Sequence, residues 1–370
     1  MLLAQVWWED RVLRGVADYA AKHNWELQCR MHWTHQLPAP GEWRGDGIIA
    51  FAGVSKNMRR SSQRLARFVR SARVPVVETQ LFGNLVNAPK VIIANDEVGA
   101  MAADYFLGLN FKHFGFVVFD ENPLEQSRQR AFQRAVERAG EKFHALTLRS
   151  LARQLPTLPR PMALLAMNDP NALKVIQLCR DAGAAVPEEF AIMGVDDTEI
   201  ICDLAAVPLS SINCNYEHQG YEAAALLDRL MKGERKPSTP TVIPLRGITV
   251  RRSTDVVAIP DLATARVLRH LRDHYRERRS IQEIVTGLAV PMRRVHTHFR
   301  THVGRTMLEE LTRLRVENAK KLLRNGKSKS ETIGIESGFS NRFHFVQAFK
   351  RVTGKTPREF RKEIGTDFNR

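Results

Sequence analysis

The sequence predicts an α/β front domain followed by an all-α tail containing two helix-turn-helix units. Three observations carry this expectation. Continuous apolar runs alternate with amphipathic segments up to about residue 250, every segment after residue 260 has helical spacing, and positive charge concentrates in the tail. The 370 residues leave room for two or three domains of about 100–200 residues each.

Eight short apolar runs mark the candidate strands: Leu2–Val6, Gly47–Ala52, Val74–Val77, Val91–Ala94, Phe114–Phe119, Ala163–Met167, Phe190–Val195 and Leu209–Ile212. Between several of them, apolar residues recur at helical spacing in Arg11–His23, Glu97–Leu109, Glu125–Ala139 and Pro170–Ala182. A run that is apolar at every position suits a strand covered on both faces, as in a parallel sheet flanked by helices. Eight such strands make either one long sheet or two smaller lobes, and the second is the more usual size for a single core. The stretch Arg246–Pro260 has room for a last strand and then the polar run Arg251-Arg252-Ser253-Thr254-Asp255. The expected division is 1–250 for the front domain, 251–261 for a linker and 262–370 for the tail.

In the tail, Leu262–Arg278 carries Leu262, Ala265, Leu268 and Leu271 on one helical face. Ile281, Ile284, Val285 and Leu288 form the stripe of a short helix. Val295, Phe299 and Val303 form the stripe of the next, with Gly287 and Pro291 punctuating the turn between them. A longer helix, Met307–Asn325, is expected to turn Leu308, Leu311, Leu314, Leu322 and Leu323 inward and to stop at Gly326. The pattern then repeats: a short helix at Ser330–Ser337, a turn at Gly338-Phe339, and a helix capped by Ser340 that carries Phe345 and Phe349.

Charge separates the two parts. The whole chain has 56 lysines and arginines against 40 acidic residues, a net charge of +16. From Asp261 to Arg370 there are 25 basic and 12 acidic residues, leaving 31 and 28 for the other 260. A field so concentrated favours a polyanion as partner, and nucleic acid is the usual one. Composition excludes a disordered or collagen-like chain, and no apolar run is long enough for a membrane helix. The run Met1–Val6 is followed by Trp-Trp-Glu-Asp without a basic leader, so a cytoplasmic protein is expected. Cys29, Cys179, Cys202 and Cys214 are scattered; their spacing suits a reducing compartment, and neither a metal nor any other cofactor is expected.

The tail resembles the DNA-binding domain of the AraC family over about residues 265–363. Gly338-Phe339-Ser340, Phe345, Phe349-Lys350-Arg351, Gly354, Thr356-Pro357 and Phe360-Arg361 carry its closing signature, and Arg315, Ala319 and Leu322-Leu323 fit its long linker helix. Ser330, Gly334, Phe343 and Gln347 depart from the family pattern, so a looser or less specific second unit is the expectation. A recognition helix presents its N-terminal residues to base edges in the major groove. The candidates in the first unit are Met292, Arg293, Arg294, His296, Thr297 and Arg300, and in the second Asn341, Arg342, His344 and Gln347. Arginine suits guanine and Asn or Gln suits adenine, while Arg305, Lys350, Arg351 and Lys355 are expected at phosphates.

In the front domain, polar residues gather just after the strand ends, where open α/β sheets place their ligands. These are Trp7-Trp8-Glu9-Asp10, Glu78, Asn95-Asp96, Asp120, Asn168-Asp169 and Asp196-Asp197. Carboxylates, amides and an indole face are what holding a sugar requires; the other reading, for Asp96 and Asp169 above all, is a helix N-cap. Here the chain resembles the core domain of the LacI/GalR repressors and the type I periplasmic binding proteins. The resemblance rests on Gly194-Val195-Asp196-Asp197, Asn168-Asp169, Arg128-Gln129-Arg130-Ala131-Phe132 and Leu209-Ser210-Ser211-Ile212, followed by Gly220 and Leu226-Leu227. It implies a two-lobed sensor with sugar contacts at Arg128, Asn168 and Asp196; Trp7, Trp8, Asp10 and Glu78 complete the candidate ligand set.

The combination is similar to the bacterial xylose operon regulator family. That likeness implies a sugar-responsive activator of a carbohydrate operon, with xylose or a related sugar as effector, double-stranded operator DNA and RNA polymerase as partners, and a homodimer. The alternative is a constitutive, architectural DNA-binding protein whose front domain only dimerises. An alkyltransferase, as another AraC-tailed class, lacks its compact cysteine motif here, and the basic tail opposes a solute-binding protein.

Overall fold

A computed structural model describes residues 1–5, 9–29, 37–38, 43–53, 58–82, 87–256, 261–288, 290–325 and 330–361. The chain forms two units, Met1–Val256 and Val257–Arg370. Among the described residues, no helix is long and apolar enough to cross a membrane.

The first unit opens with β1 (Leu2–Gln5), α1 (Asp10–Lys22), β2 (Ile48–Phe51), α2 (Arg59–Ala72), β3 (Val76–Glu78) and β4 (Val91–Ile93). It continues through α3 (Asn95–Gly108), β5 (His113–Val118), α4 (Pro123–Arg138), β6 (Lys142–Thr147), α5 (Leu148–Gln154), β7 (Met162–Ala166) and α6 (Asp169–Asp181). Then come β8 (Phe190–Val195), α7 (Glu199–Leu204), β9 (Ser210–Asn213), α8 (Tyr216–Met231), β10 (Thr241–Ile243) and β11 (Gly247–Thr249).

Of the two arrangements open to the sequence, the chain adopts two lobes. In one, β1, β2 and β3 pair in parallel, and a bridge from Glu78 to Lys90 leads to the parallel pair β4 and β10. The other holds six strands in the order β11-β9-β8-β7-β5-β6, parallel except for β11. β7 and β8 are buried at every position, which is why they read as unbroken apolar runs. β6, an edge strand starting at an exposed lysine, and β10, three residues between Pro240 and Pro244, have no such run. The chain crosses between lobes three times: from β4 into α3, from β9 into α8, and from β10 to β11. α8 returns by packing closely on α1. A Cβ on Gly15 would lie 1.8 Å from the Glu217 carbonyl oxygen, and one on Gly220 would lie 2.1 Å from that of Val12, so two glycines set that crossing.

Two expectations are corrected here. Glu78 is fully buried and paired with Lys90 at 2.6 Å, beside the bridge that joins the first lobe's strands. Its place is structural, because the bridge draws Lys90 beside it. Removing one partner of a buried ion pair leaves the other charge uncompensated, so Glu78→Ala should destabilise the first unit by about 3–5 kcal/mol, read as a lower urea midpoint. The polar run at 251–255, expected to begin a linker, belongs to the second lobe. Ser253 and Thr254 are buried, the Ser253 hydroxyl donates to the Ile192 carbonyl at 2.6 Å, and Arg251 pairs with Asp197 at 2.7 Å. Side-chain polarity there serves internal hydrogen bonds rather than solvent, and the first unit ends at Val256.

The second unit is helical, with α9 (Leu262–His274), α10 (Ile281–Val285), α11 (Met292–Val303), α12 (Met307–Asn325), α13 (Ser330–Glu336) and α14 (Arg342–Thr353). α9 stops before the expected Arg278, where the Arg315 guanidinium on α12 donates to the carbonyls of Tyr275 and Glu277 at 2.8 and 2.7 Å. Leu308, expected inward, is 63% exposed, since Met307 and Leu311 fill the inner face of that turn. Val316, Ala319, Leu323, Ile333, Phe339, Phe345 and Phe349 form the core around the second helix pair. The expected looser packing there is not what this core shows. Phe345 and Phe349 are fully buried, and a Cβ on Gly334 would come within 2.8 Å of the Phe345 ring, so the glycine makes room for the aromatic.

Candidate ligand cavity and nucleic-acid interface

A cavity of about 120 Å³ lies between the two lobes of the first unit. The first lobe contributes Glu9, Phe51, Met58, Leu81 and Gln219, and the second Asn95, Asn122, Arg128, Met167, Asn168 and Asp196. Drug-sized pockets measure about 300–1,000 Å³, so this one suits a small ligand. Its polar groups converge from several elements. Asn122 and Asn168 are the N-caps of α4 and α6, accepting from the backbone N–H of Glu125 and Asn171. Arg128, buried on α4, donates from Nε to Asn95 at 3.1 Å and from Nη1 to the Met167 carbonyl; its Nη2 lies 3.9 Å from Asp196 Oδ1.

Asp196 sits where β8 ends, at φ +103, followed by Asp197 at φ +54. Non-glycine residues enter this region rarely and with strain, so the surroundings must hold the turn. The Asp196 N–H donates to the Ile212 carbonyl, the Asp197 N–H to Ser211 Oγ and the Thr198 N–H to Asp169 Oδ2. From the first lobe, Arg11 donates to the carbonyls of both Asp196 and Asp197 while its Nε binds Glu9 at 2.7 Å. A Cβ on Gly194 would lie 2.2 Å from Asp169 Oδ1, so only glycine admits that carboxyl.

The two adjacent acids titrate in opposite directions. Burial pushes the Asp196 carboxyl above the usual range; the Arg128 charge and the Tyr216 hydroxyl, which donates at 2.7 Å, pull it only partly back. Asp197 is held below the usual range despite its burial, by hydrogen bonds from Thr249 and Arg251. Asp169 is raised, by burial and then by the charge of Asp196.

Of the sequence candidates, Arg128, Asn168 and Asp196 line this cavity. Asp10 does not: it is exposed on the first turn of α1, and its neighbour Glu9, the N-cap, is the residue facing inward. Glu78 is held by Lys90, as described above. Trp7 and Trp8 lie outside the described residues. Asp96 and Asp169 are not N-caps; Asp96 accepts from Ser127, and Asn168 caps the helix that Asp169 begins. Glu9 and Asn95 stood in the polar clusters read from the sequence without being singled out. Tyr216 and Gln219 gave no sequence signal, because only the return of α8 brings them to the cavity.

In the second unit, Arg293, His296, Thr297 and Arg300 are exposed on α11, at i, i+3, i+4 and i+7 along one face, while Val295 and Phe299 are buried. Arg294 is on the same helix, and its side chain lies outside the described set. On α14, Arg342, His344, Gln347, Lys350 and Arg351 are exposed. Asn341, rather than Ser340, is the N-cap: its Oδ1 accepts the His344 N–H at 2.9 Å. That bond engages one end of the Asn341 amide, and the residue remains exposed. Arg305, expected at phosphate, pairs with the buried Glu310 at 2.9 Å. Both helices end on a left-handed glycine, Gly304 at φ 74 and Gly354 at φ 77.

The first unit matches the periplasmic binding protein-like domain family over residues 103–254, and the second matches a helix-turn-helix domain family over residues 284–363. The two matches agree with the fold class read from the sequence, a periplasmic-binding-protein-like α/β domain followed by a helical helix-turn-helix domain. Over 96% of its length the chain is 26% identical to the xylose operon regulatory protein of Escherichia coli (strain K12), covering 94% of that protein. The xylose operon regulatory protein of Haemophilus influenzae (strain ATCC 51907 / DSM 11121 / KW20 / Rd) is 28% identical over 207 residues, 56% of this chain and 54% of that one. The solved structure of the xylose-binding transcription activator XylR aligns with a TM-score of 0.76 at 23% identity, covering 98% of this chain and 97% of that chain.

Proposed function

We propose that the chain is a sugar-responsive transcription regulator of a carbohydrate operon, not an enzyme. Xylose or a related small sugar enters the cavity between the lobes, and α11 and α14 read two successive major-groove segments about one helical turn apart. The observation that carries this reading is the convergence of Arg128, Asn168 and Asp196 on one interlobe cavity in a chain that also holds two helix-turn-helix pairs. Buried carboxylate, guanidinium and amide groups suit vicinal hydroxyls, with Phe51, Met58 and Met167 as apolar walls. The sugar acts by favouring one lobe arrangement, since a ligand shifts an equilibrium only through its differential affinity for the two states. A homodimer acting with RNA polymerase is part of the proposal.

The test is a thermal-shift panel of pentoses and hexoses followed by footprinting on operator DNA with and without the sugar that shifts the melting point. Sugar should raise operator occupancy, and with about 6–10 phosphate contacts affinity should fall on the order of 10³–10⁵-fold between 50 and 200 mM salt. Equal occupancy with and without every sugar that binds would leave only the constitutive, architectural reading.

A further inference from the structure

The first lobe carries an arginine-covered helix face that the sugar site does not use. Arg59, Arg60, Arg64, Arg67 and Arg70 lie on α2, Arg73 follows it directly, all six are exposed, and the helix contains no acidic residue. Leu65, Phe68 and Val69 face the core. At 3.6 residues per turn the arginines occupy about half of the cylinder, along a helix about 21 Å long. Among the described residues, none of the six forms an ion pair. Outside the tail the chain has 31 basic and 28 acidic residues. Without these six, the remainder would be acidic on balance, so the sensor's positive excess belongs to one surface.

We propose that this face is a second DNA contact, whose occupant is the duplex flanking the segment held by α11 and α14. The proposal rests on the reading of the second unit as DNA-binding. Five like charges on one helix and a sixth at its C-cap repel one another, and a polyanion relieves that repulsion. Guanidinium forks match phosphate in pairs of hydrogen bonds, and duplex DNA offers one charge per about 1.7 Å in either direction from an operator. A second copy of the same face is excluded by its own charge. An acidic protein would need a matching carboxylate surface, whereas a duplex long enough to reach the face offers phosphates whichever way it runs.

The test compares the parent with the quadruple variant Arg60→Gln, Arg64→Gln, Arg67→Gln and Arg70→Gln in the full chain. Glutamine keeps helix propensity close to that of arginine, and unchanged sugar affinity by calorimetry confirms that the sensor is intact. Operator affinity is measured against salt on a short duplex spanning only the helix-turn-helix footprint and on a duplex extended by several turns at each end. On the long duplex the parent should lose on the order of 100-fold more affinity than the variant between 50 and 200 mM salt, from four phosphate contacts at a slope of about 0.9 each. On the short duplex the two should behave alike. Identical slopes on the long duplex overturn the proposal, as does a variant defective only in retaining RNA polymerase on the operator, which would assign the face to an acidic protein. A parent that binds neither duplex would instead overturn the regulator reading itself.

Discussion

Exchanging Asp196 for asparagine should lower sugar affinity about 10- to 100-fold, because a hydrogen bond to a charged group contributes about 1.5–3 kcal/mol. The substitution tests the cavity with little disturbance. Asparagine accepts a positive φ more readily than most residues, which matters at φ +103, and its amide oxygen can still accept from Tyr216, now at 2.7 Å from Asp196. What disappears is the negative charge facing Arg128, whose other partners include the neutral Asn95, Tyr216 and the Met167 carbonyl. Titration calorimetry with the sugar identified by thermal shift gives the readout. Operator binding without sugar should not change, since the helix-turn-helix pairs lie in the other compact unit of the chain. Undiminished sugar affinity would show that the ligand lies elsewhere.

Truncating Phe349 to alanine should act on the other half of the molecule and more severely. Phe349 is fully buried, with Phe345 at 5.6 Å and Phe360 at 5.5 Å between ring centroids in edge-on contact. Removing a buried phenylalanine costs about 3–5 kcal/mol, a large share of the stability of a unit this small. The second helix pair should melt first, footprinting should lose one of its two protected segments, and operator affinity should fall at least about 100-fold. Sugar affinity should stay at the parental value. If both protected segments persist, α14 does not read DNA.

The helices of the tail and the eight apolar strands were legible because each obeys one periodicity set by which of its faces are buried. β6 and β10 were not, since an exposed edge and a pair of flanking prolines erase the apolar run that marks a buried strand. Strand-end acids were the hardest to place. Asp196 and Glu78 both follow a buried run, yet one faces the cavity and the other meets Lys90; the difference lies in which strand comes alongside, which pairing alone decides. The cap of α14 was misplaced by one residue because Ser340 and Asn341 are both competent caps. Tyr216 and Gln219 depend on the third dimension entirely, reaching the cavity only when α8 crosses back.

Asp196 and Asp197 are consecutive, yet the first turns into the cavity and the second is fastened to Arg251 and Thr249 on the way out of the sensor. One peptide unit thus joins the cavity wall to the segment that closes the first unit. A lineage adapting to a new sugar could vary apolar walls such as Leu81, whose side chain has no part in the Arg128–Asp196 pairing. Replacing both aspartates would loosen a strained turn that several elements hold at once, so diversification should leave this pair intact and vary the apolar walls around it.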